Sequence, residues 1–147
     1  NYSSVMMNRF TENIIEEVRN KVQQKSLQVK NMVKTVELEI DSDKMRQVLL
    51  NMIDNAIEAS DDNGIIELIS EVNEERNKFS LKIKNGCTEM PDIGKIFVPF
   101  YTNKVSGTGL GLSISRNIVE QHYGEIILSL AQENQIEFTI ILPILRS

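Results

Sequence analysis

The stretch Gly107-Thr108-Gly109-Leu110-Gly111-Leu112 decides how this chain is read. Three glycines alternate with small or apolar residues, and Ile114, Ser115, Ile118 and His122 then follow at spacings of three and four, the period of a helix. A glycine-rich turn that opens straight into a helix suits an anion. Glycine lets the backbone approach closely, and the first-turn N–H groups have no intrahelical partner. The helix dipole adds positive potential at the same spot. A plain tight turn is the alternative, and the run by itself does not separate the two.

A second helix lies about fifty residues upstream. Asp41 or Ser42 caps it, and it runs to about Ser60. Met45, Val48, Leu49, Met52, Ile53 and Ala56 recur at helical spacing, the strongest such pattern in the chain. Asn51 and Asn55, one turn apart, share a face roughly opposite that stripe, together with Gln47 and Glu58. A solvated face is one reading. Asn is a poor helix former, however, and two in mid-helix point to a task. An amide oxygen is a hard neutral ligand, suited to a Mg²⁺ that keeps most of its waters. Asn55 would hold a metal whose other ligands are phosphate oxygens cradled by the Gly107–Leu112 turn.

The rest of the chain frames these two helices. Residues 5–10 read as a short strand. A first helix starts near Thr11 as N-cap and carries Ile14, Ile15, Val18 and Val22 on one stripe. Residues 27–33 and 36–41 read as strands, the latter with one wet face because Val36, Leu38 and Ile40 alternate with Glu37 and Glu39. Asp61-Asp62-Asn63-Gly64 is a turn, followed by a hairpin of strands at 65–72 and 77–84. Residues 85–109 are irregular, and so long a structureless stretch is more often functional than accidental. A third helix covers about 110–123, and strands at 124–130 and 136–142 close the chain. The order predicts an α/β sandwich: one mixed, mostly antiparallel sheet with three helices on one face.

Composition narrows the function. The length of 147 residues fits a single domain, residues 1–147. Sixteen basic against 21 acidic residues give a net charge of −5, which argues against a nucleic-acid surface. The single Cys87 excludes an intrachain disulfide and a cysteine-based zinc site. No run is long and apolar enough to span a membrane, and no signal peptide is visible. The chain opens on Asn1 and runs directly into patterned sequence, so the expectation is a C-terminal part of a longer protein.

The run from Gln47 to Ala56 resembles the N box of sensor histidine kinases, Phe97-Val98-Pro99-Phe100 resembles their F box, and Gly107 to Leu112 resembles their second glycine box. All three stand in family order and anchor residues from about 10 to 143. The resemblance implies the Bergerat-type ATP-binding sandwich shared with type II topoisomerases. It implies ATP and Mg²⁺ as cofactors, with Asn55 on the metal, Asn51 beside the phosphates, and residues from about 88 to 107 as a mobile lid. Nucleotide contacts would come from Phe97, Phe100, Gly107, Thr108, Gly109, Leu110, Gly111 and Leu112. It also implies a histidine-bearing dimerisation domain as phosphoacceptor, in the same full-length protein or supplied in trans, and a response regulator downstream. The setting would be cytoplasmic, with a membrane anchor on the full-length protein left open.

The amide at Asn51 separates subclasses. ATP-hydrolysing relatives carry a Glu there as base for water, and an amide cannot accept a proton at neutral pH. That also disfavours an anti-sigma-type protein-serine kinase. Where the family's first glycine box reads Asp-x-Gly-x-Gly, with Asp accepting from the adenine amino group, this chain reads Asn85-Gly86-Cys87-Thr88. Asn85 would accept without charge assistance, or simply end a strand. Glu58 and Ala59 stand where many members carry a cation and an aromatic, a form resembling the nitrogen-regulation and sporulation kinase branch. That branch pairs it with a lid Thr-x-Lys, here Thr102-Asn103-Lys104. Lys104 would then serve the triphosphate and Arg116 the terminal phosphate, the alternative for both being solvated charges. His122, the only histidine, precedes Tyr123-Gly124-Glu125 rather than an acidic residue, which predicts a structural helix-end imidazole and no phosphoacceptor in this chain. An ATP-binding regulatory scaffold without transfer activity is the remaining alternative.

Overall fold

Asp41 starts the longest helix. Its carboxylate accepts the Lys44 N–H at 3.2 Å, capping α3 (Ser42–Ala59). The apolar stripe of α3, from Met45 through Met52 to Ile57, is buried. The structure is a computed structural model that describes residues 1–86, 110–130 and 135–144.

The buried stripe packs on a five-stranded sheet ordered β2 (Gln28–Met32), β4 (Ile65–Val72), β5 (Lys78–Gly86), β7 (Gln135–Pro143), β6 (Glu125–Leu130). The β2–β4 pair is parallel and the other pairs are antiparallel. Strand alternation sorts the two faces. Ile66 and Leu68, Phe79, Leu81 and Ile83, and Ile136, Phe138 and Ile140 join the helices in one core. On the helix-free face the register aligns Lys30, Glu67, Lys84 and Glu137 across four strands, an alternating row of charge that keeps that face wet.

The sandwich predicted from the pattern is present, with three differences. A separate two-stranded sheet joins β1 (Ser3–Met6) antiparallel to β3 (Glu37–Ile40). The expected strand at 5–10 ends at Met6, because Met7, Phe10, Thr11 and Ile14 already follow helical spacing and begin α1 (Met7–Glu17). Thr11 is therefore not a cap. It is fully buried inside α1, and its hydroxyl donates back to the carbonyls of Met7 and Asn8 at 2.9 and 3.0 Å. The first helix is also two helices. The chain leaves helical geometry at Val18 and resumes as α2 (Arg19–Gln24).

The last described helix, α4 (Leu110–Gln121), ends in a Schellman turn. Gly124 N–H donates to Val119 C=O and Tyr123 N–H to Glu120 C=O, both at 3.0 Å, with Tyr123 at φ 62°. Gly124 is required there, since a Cβ would stand 2.1 Å from the Ile141 carbonyl oxygen.

Candidate functional site between the two long helices

Helices α3 and α4 are tied at two levels. Midway along, Asn51 Nδ2 donates to Ser115 Oγ at 3.3 Å. At one end, His122 Nε2 accepts the N–H of Asp41, the cap of α3, at 3.1 Å, while Nδ1 lies 2.9 Å from Ile118 C=O. An acceptor nitrogen is unprotonated, so the ring carries its hydrogen on Nδ1 and donates it to Ile118. Tyr2 stacks on the same ring at 4.9 Å. His122 is 4% exposed, and both nitrogens are engaged within the fold, as expected of a structural imidazole.

Two ties in this order make the helices antiparallel. From the Asn51–Ser115 level, α4 rises about 7.5 Å to its N-terminus at Leu110, while α3 rises about 6 Å to Asn55. Asn55 therefore stands nearly level with the positive end of the α4 dipole. Both asparagines are half-buried rather than on an open face, whereas Gln47 and Glu58 are exposed. The sequence placed Asn51 and Asn55 on one face but not the partner of that face. Ser115, fully buried, showed itself only through helical spacing.

The other expected site residues are distributed as follows. Asn85 continues the inward row Phe79, Leu81, Ile83 on β5, so its amide points to the helix side of the sheet, 3% exposed. Its Nδ2 donates to Gly86 C=O at 2.9 Å, which leaves Oδ1 as the acceptor end of the amide. Asn85 lines a groove of about 430 Å³ with Ser60, Asp61, Gly64 and Gly86; Asn51 and Asn55 are not among its walls. Arg116 is exposed on α4, with Nε 3.8 Å from Glu120. Leu112 packs partly buried against the core, while Ile114 is 39% exposed and lies off the buried stripe of Ser115, Ile118, Val119 and His122. Leu110 and Gly111 form the first turn of α4. Phe97, Phe100, Lys104, Gly107, Thr108, Gly109 and the expected lid lie outside the described residues. Among the described residues no group of three or more His, Cys, Asp or Glu could hold a metal ion, and no helix is long and apolar enough to cross a membrane.

A mixed sheet with helices on one face, an antiparallel helix pair and paired amides beside a helix N-terminus define an ATP-binding sandwich of the Bergerat type. Residues 40–146 match the family of histidine kinase-, DNA gyrase B- and HSP90-like ATPases, and the chain belongs to it. It is 36% identical over 108 residues to sensor histidine kinase ZraS of Escherichia coli (strain K12), covering 74% of this chain and 23% of that protein. It is 33% identical over 105 residues to sporulation kinase A of Bacillus subtilis (strain 168), covering 70% and 17%. The chain thus spans less than a quarter of the length of these curated relatives. A solved catalytic domain of histidine kinase ThkA superposes with a TM-score of 0.85 at 31% identity, covering 97% of this chain and 95% of that one. A structure of ThkA in complex with response regulator protein TrrA aligns at a TM-score of 0.81 and 28% identity, covering 98% of this chain and 42% of that one.

Proposed function

We propose that this chain is the catalytic and ATP-binding domain, residues 1–147, of a longer two-component sensor kinase. It binds Mg-ATP between α3 and α4 and supplies the γ-phosphoryl group to a histidine on a separate dimerisation domain. The observation that carries this reading is the antiparallel pair, which brings the Asn55 amide level with the N-terminus of α4. The positive helix end would suit the phosphate oxygens, and a neutral amide oxygen would suit a Mg²⁺ beside them, without a cage of carboxylates.

Bound Mg-ATP supplies the reactive phosphoryl group and the metal charge that offsets the phosphates. In this reading Asn55 holds the metal, and Asn51 lies beside the phosphates with its amide steadied by Ser115. The Gly107–Leu112 turn cradles the phosphates with its N–H groups, and Lys104 and Arg116 offset charge that builds on the terminal phosphate. Asn85 takes the adenine amino group on Oδ1, while Phe97 and Phe100 anchor the lid. The bond from γ-phosphorus to its bridging oxygen breaks, a bond to the histidine nitrogen forms, and ADP leaves. Asn51 offers no base to activate water, so the site positions ATP for a nucleophile brought from outside. A response regulator then receives the phosphoryl group, and the domain works on the cytoplasmic side.

The test combines calorimetric titration of Mg-ATP with transfer from γ-labelled ATP to a supplied histidine-bearing dimerisation domain. Asn55→Ala should leave the fold intact and cut transfer by at least about a hundredfold, more than loss of an outer-shell partner costs. Near-normal transfer by the folded variant removes the metal assignment. Asn85 in place of an acid favours one second reading, a regulatory scaffold, and binding without transfer would select it.

A further inference from the structure

The C-terminal end of α3 is held by a side chain from outside the site. Lys25, at the end of α2, points its ammonium at three carbonyl oxygens: Ile57 at 2.8 Å, Glu58 at 3.0 Å and Ser60 at 2.8 Å. An ammonium has three donors, and all three are used. The last carbonyls of a helix have no intrahelical partner, and they form the negative end of its dipole. Here one point charge satisfies three of them. The same residue also reaches past the helix, because its own carbonyl accepts the N–H of Asn63 at 2.9 Å. That bond fixes the turn from Asp61 to Gly64, with Asn63 at φ 66°, which walls the groove at Asn85.

We infer that Lys25 is a positioning residue for the nucleotide site: its three-carbonyl grip on the end of α3 sets where Asn55 and the Asp61–Gly64 turn stand relative to each other. The inference rests on the reading of α3 and α4 as the Mg-ATP site. Asn55 lies within one turn of the gripped segment, and its main-chain carbonyl is bonded by the N–H four residues on, at Ala59. If the last turn frays, that bond opens next after the Ser60 N–H to Ala56 C=O bond, and the Asn55 side chain loses its direction. Ser60 closes Ala56 C=O through its N–H at 3.0 Å and its hydroxyl at 2.6 Å, but it does not reach the Glu58 carbonyl, which Lys25 does. A neighbouring lysine gives the contrast. Lys21 pairs with Asp54 at 3.0 Å, side chain to side chain across the surface of α3, an arrangement of the kind that contributes little.

The experiment measures the dissociation constants of Mg-ATP, and of ATP with EDTA, for wild type, Lys25→Met, Lys25→Arg and Lys21→Met. All are compared at a temperature where circular dichroism shows each folded. Lys25→Met keeps the stem and removes the donors. It should weaken Mg-ATP about tenfold, the scale of a lost charge-assisted hydrogen bond, and shrink the gain that Mg²⁺ gives. Lys25→Arg brings a flat fork that cannot converge on three oxygens and should fall between the two. Lys21→Met should match wild type. A purely structural cap would lower the melting temperature of Lys25→Met and leave both constants of the folded protein unchanged; that result overturns the inference while the proposed function stands. If Lys25→Met does not fold, Lys25→Arg decides by the same two constants, wild-type values overturning the inference. No Mg-ATP binding by wild type removes the proposed function, and this inference with it.

Discussion

Replacing His122 separates a structural imidazole from a phosphoacceptor. The ring accepts the Asp41 N–H at 3.1 Å and lies 2.9 Å from Ile118 C=O. His122→Ala removes both bonds and leaves the Asp41 N–H without that acceptor. Each bond is worth about 1 kcal/mol net, and an orphaned donor costs about 1 kcal/mol or more, so the loss comes to roughly 3 kcal/mol. In a domain of this size that is a fall of roughly 10 °C in melting temperature. His122→Gln is the informative partner. Its terminal oxygen reaches the place of Nε2 and can still receive the Asp41 N–H, so it should lose only about 1 kcal/mol, roughly 4 °C. Thermal unfolding followed by circular dichroism measures both. In parallel, γ-labelled ATP is added with a histidine-bearing acceptor domain and label is mapped after an acid-lability check. Label should sit on the acceptor domain alone, and folded His122→Gln should transfer as wild type does. Equal instability of the two variants would refute the Nε2 bond, and acid-labile label on His122 would refute its structural role.

Gly124→Ala places a methyl against the Ile141 carbonyl and should cost about 2–3 kcal/mol or prevent folding, read from a urea midpoint. Asp41 has a carboxyl held below the usual 3.8 by the Lys44 N–H first, with the Lys44 charge reinforcing it against desolvation. A lowered folded pKa adds stability above the ordinary carboxylate range and loses it as pH falls through the lowered value. Asp41→Asn keeps an acceptor and has no charge to lose, so its denaturation midpoint should fall less steeply below pH 3.8 than that of wild type. In the proposed site Asn51→Glu would supply a base near the phosphates and should raise phosphate release from ATP where water reaches the terminal phosphate; an unchanged rate with intact binding would show that the missing base is not what protects ATP.

Legibility followed the range of each interaction. Helix α3 was visible because its stripe and its Asp41 cap are local, and strand alternation gave the hairpin and the closing pair. The start of the first helix at Met7 rather than Thr11 is hidden in the sequence because a threonine hydroxyl serves equally as a cap or as a bond to the preceding turn, and only burial tells them apart. The sheet of β1 and β3 escaped notice because β1 runs into α1 without a turn residue between Met6 and Met7. Within the site, the asparagines stood out because amides in mid-helix are costly. Ser115 and Lys25 did not, since their partners lie 64 and 32–35 residues away and neither residue type is unusual where it stands.

The two ties between α3 and α4 also explain why His122 and Asn55 are at opposite ends of the pair. His122 joins the N-terminus of α3 to the C-terminus of α4, where the dipoles of antiparallel helices already attract. At the other end both poles are reversed: the negative end of α3 stands beside the positive end of α4, and each has orphan groups to satisfy. Lys25 supplies the cation that the end of α3 needs. The positive end of α4 suits an anion, and the sequence that leads into it, Gly107-Thr108-Gly109, carries no acidic side chain. In the proposed site the triphosphate fills that role, and Asn55, level with it, brings the metal without adding a negative charge of its own. A carboxylate at Asn55 would answer the helix end itself and compete with the substrate for it. A neutral amide there leaves that attraction for ATP.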